Sequence, residues 1–187
     1  MRLLIVDNND SFTYNLQHYI CEFIDNVDVI RFGKLKLDDV SSYDKILFSP
    51  GPGLPDEYPI LHKVLARYQS SKSILGVCLG QQVIAEFYGG QLTNLSNIMH
   101  GVSSRVSHFG NCILYTGIPI SFQVGHYHSW VVSSKFFPPD LELTSLNEDG
   151  LIMSIKHKEY DVRSVQFHPE SVLTEHGFTL IQNWILS

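Results

Sequence analysis

Short apolar runs punctuate the first half of the chain at regular intervals. They lie at Arg2–Asp7, Val27–Phe32, Lys45–Ser49 and Ile74–Val77. Continuous apolar runs of this length are typical of strands that are buried on both faces of a parallel sheet. We therefore predict four such strands in the first 77 residues.

Amphipathic segments follow these runs. One comes after the helix-cap candidates Asp10 and Ser11, a second begins near Pro59, and a third extends from about Leu79 to Tyr88. In each of them apolar residues recur at the spacing of one helix face. Strands that alternate with helices predict an α/β fold: an open, mostly parallel sheet with helices on both faces.

The pattern changes between residues 91 and 167, where short β-rich pieces are separated by turn residues. This favours an antiparallel β extension of the same sheet, followed by a final helix near His176–Ile185. No repeat or linker interrupts the chain, so we expect one domain over residues 1–187. The strands predicted in this half are Ser103–Ser107, Cys112–Tyr115, Ser121–Val124, Trp130–Ser133, Leu141–Ser145, Leu151–Ile155 and Val162–Phe167.

The composition argues against nucleic-acid-binding and membrane-spanning classes of protein. A net charge of −6, from 13 basic and 19 acidic residues, argues against a nucleic-acid partner, which needs a clustered basic face. No apolar run approaches the length of about 18 residues that a membrane span requires. Three widely spaced cysteines, Cys21, Cys78 and Cys112, indicate reduced thiols and a cytoplasmic location. We expect Cys21 and Cys112 to be packing residues.

Cys78 occupies the most informative motif of the chain. A predicted buried strand leads into Gly76-Val77-Cys78-Leu79-Gly80 and then directly into a helix. This arrangement is typical of a nucleophile elbow, in which flanking glycines permit a strained turn that lifts one side chain above the sheet. The helix N-terminus favours the thiolate, and the amide of Leu79 is placed to bind an oxyanion. The alternative is a buried structural cysteine.

His168 is the best candidate for the base that a thiol nucleophile needs. It follows the last predicted strand, in His168-Pro169-Glu170. Because proline favours an extended conformation for the residue before it, His168 and Glu170 can project on the same side. Glu170 can then orient the imidazole, as the third member of a triad does. The alternative is a capped loop without a catalytic role.

Ser49-Pro50-Gly51-Pro52-Gly53 follows the third predicted strand. Prolines fix the backbone and glycines allow it to approach a ligand closely, so this loop is a candidate second oxyanion donor. A tight turn is the alternative. A phosphate-binding loop is excluded because no Gly-Lys-Ser/Thr sequence follows. The chain also lacks an acidic cluster with metal spacing, so we expect neither a metal site nor a cofactor in it.

Taken together, these motifs resemble the class I, triad-type glutamine amidotransferases. The resemblance rests on Ser49–Gly53, Gly76–Gly80 with Gln82, and His168–Glu170, in this order along the chain. It implies a flavodoxin-like fold in which Cys78 attacks the side-chain amide of L-glutamine to form a γ-glutamyl thioester and release ammonia. His168, oriented by Glu170, would act as the acid and base.

The same resemblance implies roles for other residues. The backbone of Gly53 and Leu79 would form the oxyanion hole. The α-amino and carboxylate groups of the substrate would be bound by Gln82 and by the main chain at Ser129 and Trp130. The loop residues Gly51, Pro52 and Gly53 would line the site.

Two further motifs resemble one branch of this family. They are Asp7–Leu16 and Tyr127-His128-Ser129. The branch contains the small subunits of anthranilate synthase and the amidotransferase subunits of aminodeoxychorismate synthase. It implies that the partner is a large, chorismate-using synthase subunit, which would carry the Mg²⁺ and receive the ammonia. An anthranilate synthase subunit is our first expectation, and the alternative is an aminodeoxychorismate synthase subunit.

Two other classes remain open at this point. A cysteine hydrolase or peptidase could use the same elbow, and a flavodoxin-like regulatory or redox domain would need no catalysis at all. Preference for γ-glutamyl peptides over glutamine would favour the hydrolase. Failure of a glutamine-analogue electrophile to label Cys78 would favour the non-catalytic domain.

Overall fold

A computed structural model describes residues 1–187, which form nine strands and four helices. The strands are β1 (Leu3–Asp7), β2 (Val27–Arg31), β3 (Lys45–Phe48), β4 (Ser73–Val77), β5 (Leu92–His108), β6 (Ser121–Val132), β7 (Leu141–Asn147), β8 (Ile152–His157) and β9 (Val162–Val165). The helices are α1 (Thr13–Cys21), α2 (Pro59–Tyr68), α3 (Leu79–Phe87) and α4 (Gly177–Ile185).

All nine strands belong to one sheet, in the order β2-β1-β3-β4-β9-β8-β7-β5-β6. The first five of these strands are mutually parallel. The last four continue the sheet in antiparallel fashion. The predicted fold class, a mostly parallel α/β sheet with an antiparallel extension, is therefore confirmed.

Strands β1, β3, β4 and β9 are buried because helices cover both of their faces, whereas β2, at the edge of the sheet, is only partly buried. Leu16 and Ile20 of α1 pack with Ile181 and Trp184 of α4 on one face. Helices α2 and α3 cover the other, where Leu61 packs in the core with residues of β1, β3 and β4. Side chains of adjacent strand positions alternate between the two cores, as the period of a strand requires. None of the four helices is long and apolar enough to cross a membrane.

Two strand predictions in the second half are wrong. Cys112–Tyr115 does not pair in the sheet; residues 113–115 form a short 3₁₀ turn instead. The amide of Asn183, on α4, donates hydrogen bonds to the carbonyls of Leu114 and Thr116 at 2.9 and 2.8 Å. Contacts with a distant helix therefore use the carbonyls that a strand would have offered to its neighbours.

The second wrong prediction concerns two strands that are one strand in the structure. Ser121–Val124 and Trp130–Ser133 are parts of the continuous strand β6, which pairs with β5 along most of its length. The intervening residues 125–129 are polar or small, and this composition suggested a break. Three of them, Tyr127, His128 and Ser129, line the cavity described below, so these residues belong to the site rather than to the core.

Two smaller expectations also fail. Helix α1 begins at Thr13, and its N-cap residue Phe12 makes no side-chain cap. Asp10 instead accepts a hydrogen bond from the Phe12 amide at 2.7 Å, and Ser11 has no capping role. Cys21 is exposed at the end of α1 and is not a core residue, whereas Cys112 is buried as expected.

Candidate active site

Four strands of the parallel sheet deliver the candidate residues to one edge. Asn8 follows β1, Ser49 follows β3, Cys78 follows β4, and His168 comes three residues after β9. Because these strands are parallel and adjacent, their carboxyl ends lie side by side. This is the edge at which open α/β sheets place their ligand sites.

Cys78 has the strained backbone of an elbow. Its φ is 54° and its ψ is −102°, a conformation that residues with a side chain rarely adopt. The Cys78 amide donates to the carbonyl of Val165 in β9 at 2.8 Å, and the Cys78 carbonyl accepts from the amides of Gln81 and Gln82 in α3. The residue thus ends one strand and begins one helix, and its thiol is buried at the base of a cavity.

The flanking glycines are required by close packing. A Cβ atom on Gly76 would lie 2.5 Å from the backbone of Gly80, and one on Gly80 would lie 2.7 Å from the carbonyl oxygen of Phe48. Neither position has room for a side chain. The glycine pair thus lets the start of α3 lie directly against β3 and β4, and this contact sets the position of Cys78.

His168 and Glu170 form a buried pair. The Nδ1 atom of His168 lies 2.7 Å from Oε1 of Glu170, and both side chains are inaccessible to solvent. Burial acts to lower the pKa of His168, but the charge of Cys78, followed by hydrogen bonding to Cys78 and Glu170, raises it well above 6.5. The Nε2 atom is buried without a hydrogen bond of ordinary geometry. The ring is therefore held by Glu170 on one side and faces Cys78 with the other.

Two aromatic rings enclose the imidazole. Phe12 and Tyr127 lie edge-on to His168, with ring centroids 5.5 and 5.0 Å from it. The Tyr127 hydroxyl lies 3.2 Å from that of Ser171, in the same loop as His168. These contacts restrict rotation of the ring. Phe12 was not among the residues we predicted for the site.

The Pro50–Gly53 loop is anchored from the end of β1 and the start of α2. The Asn8 side chain donates to the Ser49 carbonyl at 2.8 Å, and its backbone amide donates to the Ser49 hydroxyl at 2.9 Å. The Tyr58 hydroxyl donates to the Pro52 carbonyl at 2.7 Å. Gly53 has a φ of +74°, which glycine adopts without strain. The loop is thus held rigidly beside Cys78, and its anchors Asn8 and Tyr58 were not predicted.

A cavity of about 190 Å³ brings together most of the residues that the sequence singled out. They are Gly51, Pro52, Gly53, Cys78, Gln82, Ser129 and Trp130. Leu79 lies directly behind Cys78 as the first residue of α3 and is buried. The cavity is also lined by four residues outside the predicted set: Ile98, His100, Tyr127 and His128. A second cavity of about 470 Å³ reaches Cys78 and His168 from the side of Asn9–Phe12.

Gln82 is buried, so it is not the exposed helix residue that was the alternative to a site role. Its side-chain amide donates to the Trp130 carbonyl at 3.0 Å and contacts the Gln166 oxygen at 3.4 Å. Gln166 is fully buried, and its own amide nitrogen lies 3.6 Å from the sulfur of Cys78. Sequence reasoning missed Gln166. A polar residue in an otherwise buried strand run was the available signal.

Two other buried histidines lie close by but are unsuited to accept a proton. His126 and His128 contact each other through ring nitrogens 3.2 Å apart. Burial, together with the positive charge of His168, lowers the pKa of His126 to about 4. Burial, followed by the charges of His126 and His168, lowers the pKa of His128 to about 3. Both rings are therefore neutral near pH 7, in contrast to His168.

The donor set does not suit a metal ion. No group of three or more His, Cys, Asp or Glu side chains is arranged to hold one. The acidic member of the site, Glu170, has one carboxylate oxygen committed to His168. The arrangement instead provides a buried thiol, an oriented imidazole and a rigid backbone loop around one cavity, which are the parts needed for acyl transfer.

Comparisons with known proteins indicate the family of this chain. The family model for class I glutamine amidotransferases matches residues 4–187. The chain is 43% identical over 185 residues to a Haemophilus influenzae protein provisionally named anthranilate synthase component II, covering 99% of this chain and 96% of that one. It is 40% identical over 185 residues to aminodeoxychorismate synthase component 2 of Escherichia coli K12, covering 98% of each.

The fold has a solved counterpart as well. A Thermoplasma acidophilum protein, provisionally named as one subunit of GMP synthase, superposes with a TM-score of 0.88 at 22% identity, covering 99% of this chain and 92% of that one. At that identity the likeness concerns the fold alone. The match of the family model over nearly the whole chain carries the assignment, and the chain belongs to the class I glutamine amidotransferase family.

Proposed function

We propose that this chain is the glutamine-hydrolysing subunit of an anthranilate synthase, with Cys78, His168 and Glu170 as its catalytic triad. The observation that carries the proposal is the placement of a buried thiol on a strained elbow, facing an imidazole that a buried carboxylate orients. Family membership supports glutamine as the substrate.

The chemistry begins with a thiolate at Cys78 and an imidazolium at His168. The sulfur attacks the side-chain amide carbon of L-glutamine, and the backbone amides of Gly53 and Leu79 stabilise the oxyanion that forms. His168 then protonates the leaving nitrogen, the carbon–nitrogen bond breaks, and ammonia departs. A γ-glutamyl thioester remains on Cys78.

Deacylation uses the same groups in the reverse direction. His168, now neutral, removes a proton from water as the water attacks the thioester, and glutamate leaves as the sulfur regains its negative charge. Gln82, Ser129 and Trp130 hold the α-amino and carboxylate groups of the substrate. Gly51 and Pro52 also line the cavity that would hold the substrate. Neither a metal nor a cofactor takes part in these steps.

The released ammonia requires a second protein. We propose that the partner is a chorismate-using synthase subunit, with Mg²⁺ on that partner. Relatives that match over nearly their full length are named as components of anthranilate synthase and aminodeoxychorismate synthase, which supports a partner of this kind. Delivery within a complex has a physical reason, since free ammonia is mostly protonated at neutral pH and lost to solvent. Sparse, free cysteines support a cytoplasmic location.

Aminodeoxychorismate synthase is the second candidate partner system. A relative with that name covers 98% of the chain at 40% identity, and the relative named for anthranilate synthase covers 99% at 43% identity. The two pathways would use the same triad and differ in the synthase subunit that is bound.

Reconstitution with each synthase subunit tests both parts of the proposal. We expect glutamine-dependent formation of anthranilate, and Cys78→Ala should abolish it while ammonium salts still support product formation. Retention of full glutamine-dependent activity by Cys78→Ala would exclude the triad. Formation of 4-amino-4-deoxychorismate alone would move the chain to the alternative pathway.

A further inference from the structure

Gln166 is a buried amide that the triad does not explain. It lies just after β9 and two residues before His168, and its side chain is fully inaccessible to solvent. Burying an amide costs free energy unless both its oxygen and its nitrogen find partners. Here the partners are the Gln82 side chain and the sulfur of Cys78. Gln166 thus bridges a proposed substrate-binding residue and the nucleophile.

The Trp130 carbonyl determines how the side-chain amides of Gln82 and Gln166 are oriented. The Trp130 carbonyl oxygen can only accept a hydrogen bond, so Gln82 must turn its NH₂ group toward it, at 3.0 Å. The same NH₂ group lies 3.4 Å from Gln166, so Gln166 must present its oxygen there. The nitrogen of Gln166 is then necessarily the atom that faces Cys78, at 3.6 Å from the sulfur. Turning Gln166 over would bring two donors together, and turning Gln82 over would bring its oxygen against two acceptor oxygens.

We propose that Gln166 is a hydrogen-bond donor to the Cys78 thiolate, and that through Gln82 it couples the substrate cavity to the nucleophile. A hydrogen bond to a charged acceptor is stronger than one to its neutral form, so this donor favours the thiolate over the thiol. The inference rests on the proposed function for its kinetic consequences, but the state of the sulfur can be measured without glutamine.

The nitrogen and the oxygen of the Gln82 side chain also have different roles in this arrangement. Because its NH₂ group is engaged by Trp130 and Gln166, its oxygen remains as the free polar atom of the side chain. An oxygen acceptor suits the α-ammonium group of a glutamine molecule. Gln166 therefore holds Gln82 in the orientation that substrate binding needs while it stabilises the sulfur.

The test measures alkylation of Cys78 by iodoacetamide as a function of pH, in a Cys21→Ser background that removes the exposed thiol. In Gln166→Met, which has neither donor nor acceptor, the midpoint of the profile should move up by about one pH unit, the size expected for one hydrogen bond to a charged group. Gln166→Glu keeps an oxygen for Gln82 but replaces the donor by an acceptor, so its midpoint should move at least as far.

Kinetics of the complex with the synthase subunit separate the two roles. Gln166→Glu should lower kcat for glutamine hydrolysis about tenfold with little change in KM, whereas Gln166→Met should also raise KM because Gln82 loses its partner. The acid limb of kcat/KM against pH should shift upward in both. The profiles are compared over the pH range in which the far-UV circular dichroism of each variant is constant, so that unfolding does not contribute to the shift.

Gln81→Met is the matched control. Gln81 is equally buried and adjacent to Gln82, but its contacts are the Ile152 carbonyl and the Ser164 hydroxyl, not the sulfur. Its alkylation midpoint should equal that of the parent. An unchanged midpoint in both Gln166 variants overturns the inference and leaves the triad intact, whereas absence of glutamine turnover in the parent complex overturns the proposed function instead.

Discussion

At the scale of single residues, burial determines how the charges of the site behave. His168 and Glu170 are shielded from water, so their interaction is screened little by solvent or salt. The charge and hydrogen bond of Cys78, together with those of Glu170, outweigh the cost of burial and raise the pKa of His168. The imidazolium is therefore the resting form near neutral pH, and it can protonate the leaving nitrogen.

Glu170→Gln should weaken that protonation. Without the carboxylate, the pKa of His168 falls toward its ordinary value, so the imidazolium is lost at lower pH than in the parent. We expect the basic limb of kcat/KM for glutamine to shift to lower pH and the maximum to fall about 10²-fold, the usual scale of acid–base catalysis.

Glu175→Gln provides the comparison for this change. Glu175 lies five residues further along the chain and accepts a hydrogen bond from the Gln123 amide at an exposed position. Its pH profile should match that of the parent. A Glu170→Gln profile with an unmoved basic limb would show that the carboxylate does not control the ionisation of His168.

At the scale of elements, the sequence predicts the parallel half of the sheet better than the antiparallel half. Strands such as β4 are buried on both sides, so their apolar runs are unambiguous. Tyr127, His128 and Ser129 of β6 line a cavity instead, so this part of the strand has no apolar run. The proposed triad was predictable because its members occupy short local motifs. Gln166 was not, since its contacts with Cys78 and Gln82 join residues 88 and 84 positions apart.

Gly80→Ala tests the packing that positions the elbow. The added methyl group would meet Phe48 at 2.7 and 2.9 Å, so the start of α3 must move away from β3. We expect a loss of about 1–3 kcal/mol in the free energy of unfolding, measured with urea, together with a fall in glutamine hydrolysis. Gly33→Ala, where nothing lies within 4 Å, should change stability by less than about 0.5 kcal/mol. Equal stabilities of the two variants would contradict the tight contact.

At the scale of the whole molecule, Lys45 connects the start of β3 to the end of α4, at the edge of the sheet opposite the site. It begins β3, and its ammonium group donates to the carbonyls of Trp184 and Ser187, at 2.8 and 3.2 Å. The Trp184 indole donates in turn to the Ser73 hydroxyl at the start of β4. These bonds fix the end of α4 to the amino edge of the parallel strands, 139 residues away from Lys45 in sequence.

This buried cation makes stability depend on pH. Burial, with a smaller contribution from the charge of Arg163, lowers the pKa of Lys45 from 10.5 to about 8. Between these values the unfolded chain binds more protons than the folded one, so the contribution of Lys45 to stability becomes more favourable as pH rises from 8 to 10.5.

Lys45→Met should remove that contribution. The difference in unfolding free energy between parent and variant, measured with urea at pH 7.5, 9 and 10, should grow with pH in favour of the parent. Taking the difference cancels tyrosines and cysteines that titrate in the same range. Lys63→Met, at an exposed position of α2, should give a difference that is independent of pH. A flat difference for Lys45→Met as well would refute the assignment.

The backbone of Cys78 has a consequence for how such a protein can be improved. Its positive φ is a conformation that glycine adopts freely and cysteine only at a cost of about 1–3 kcal/mol. Selection of variants by heat resistance alone would therefore favour glycine at position 78 and discard the nucleophile. Stability and reactivity compete at this residue, so any screen of this chain for robustness must include an assay of its chemistry.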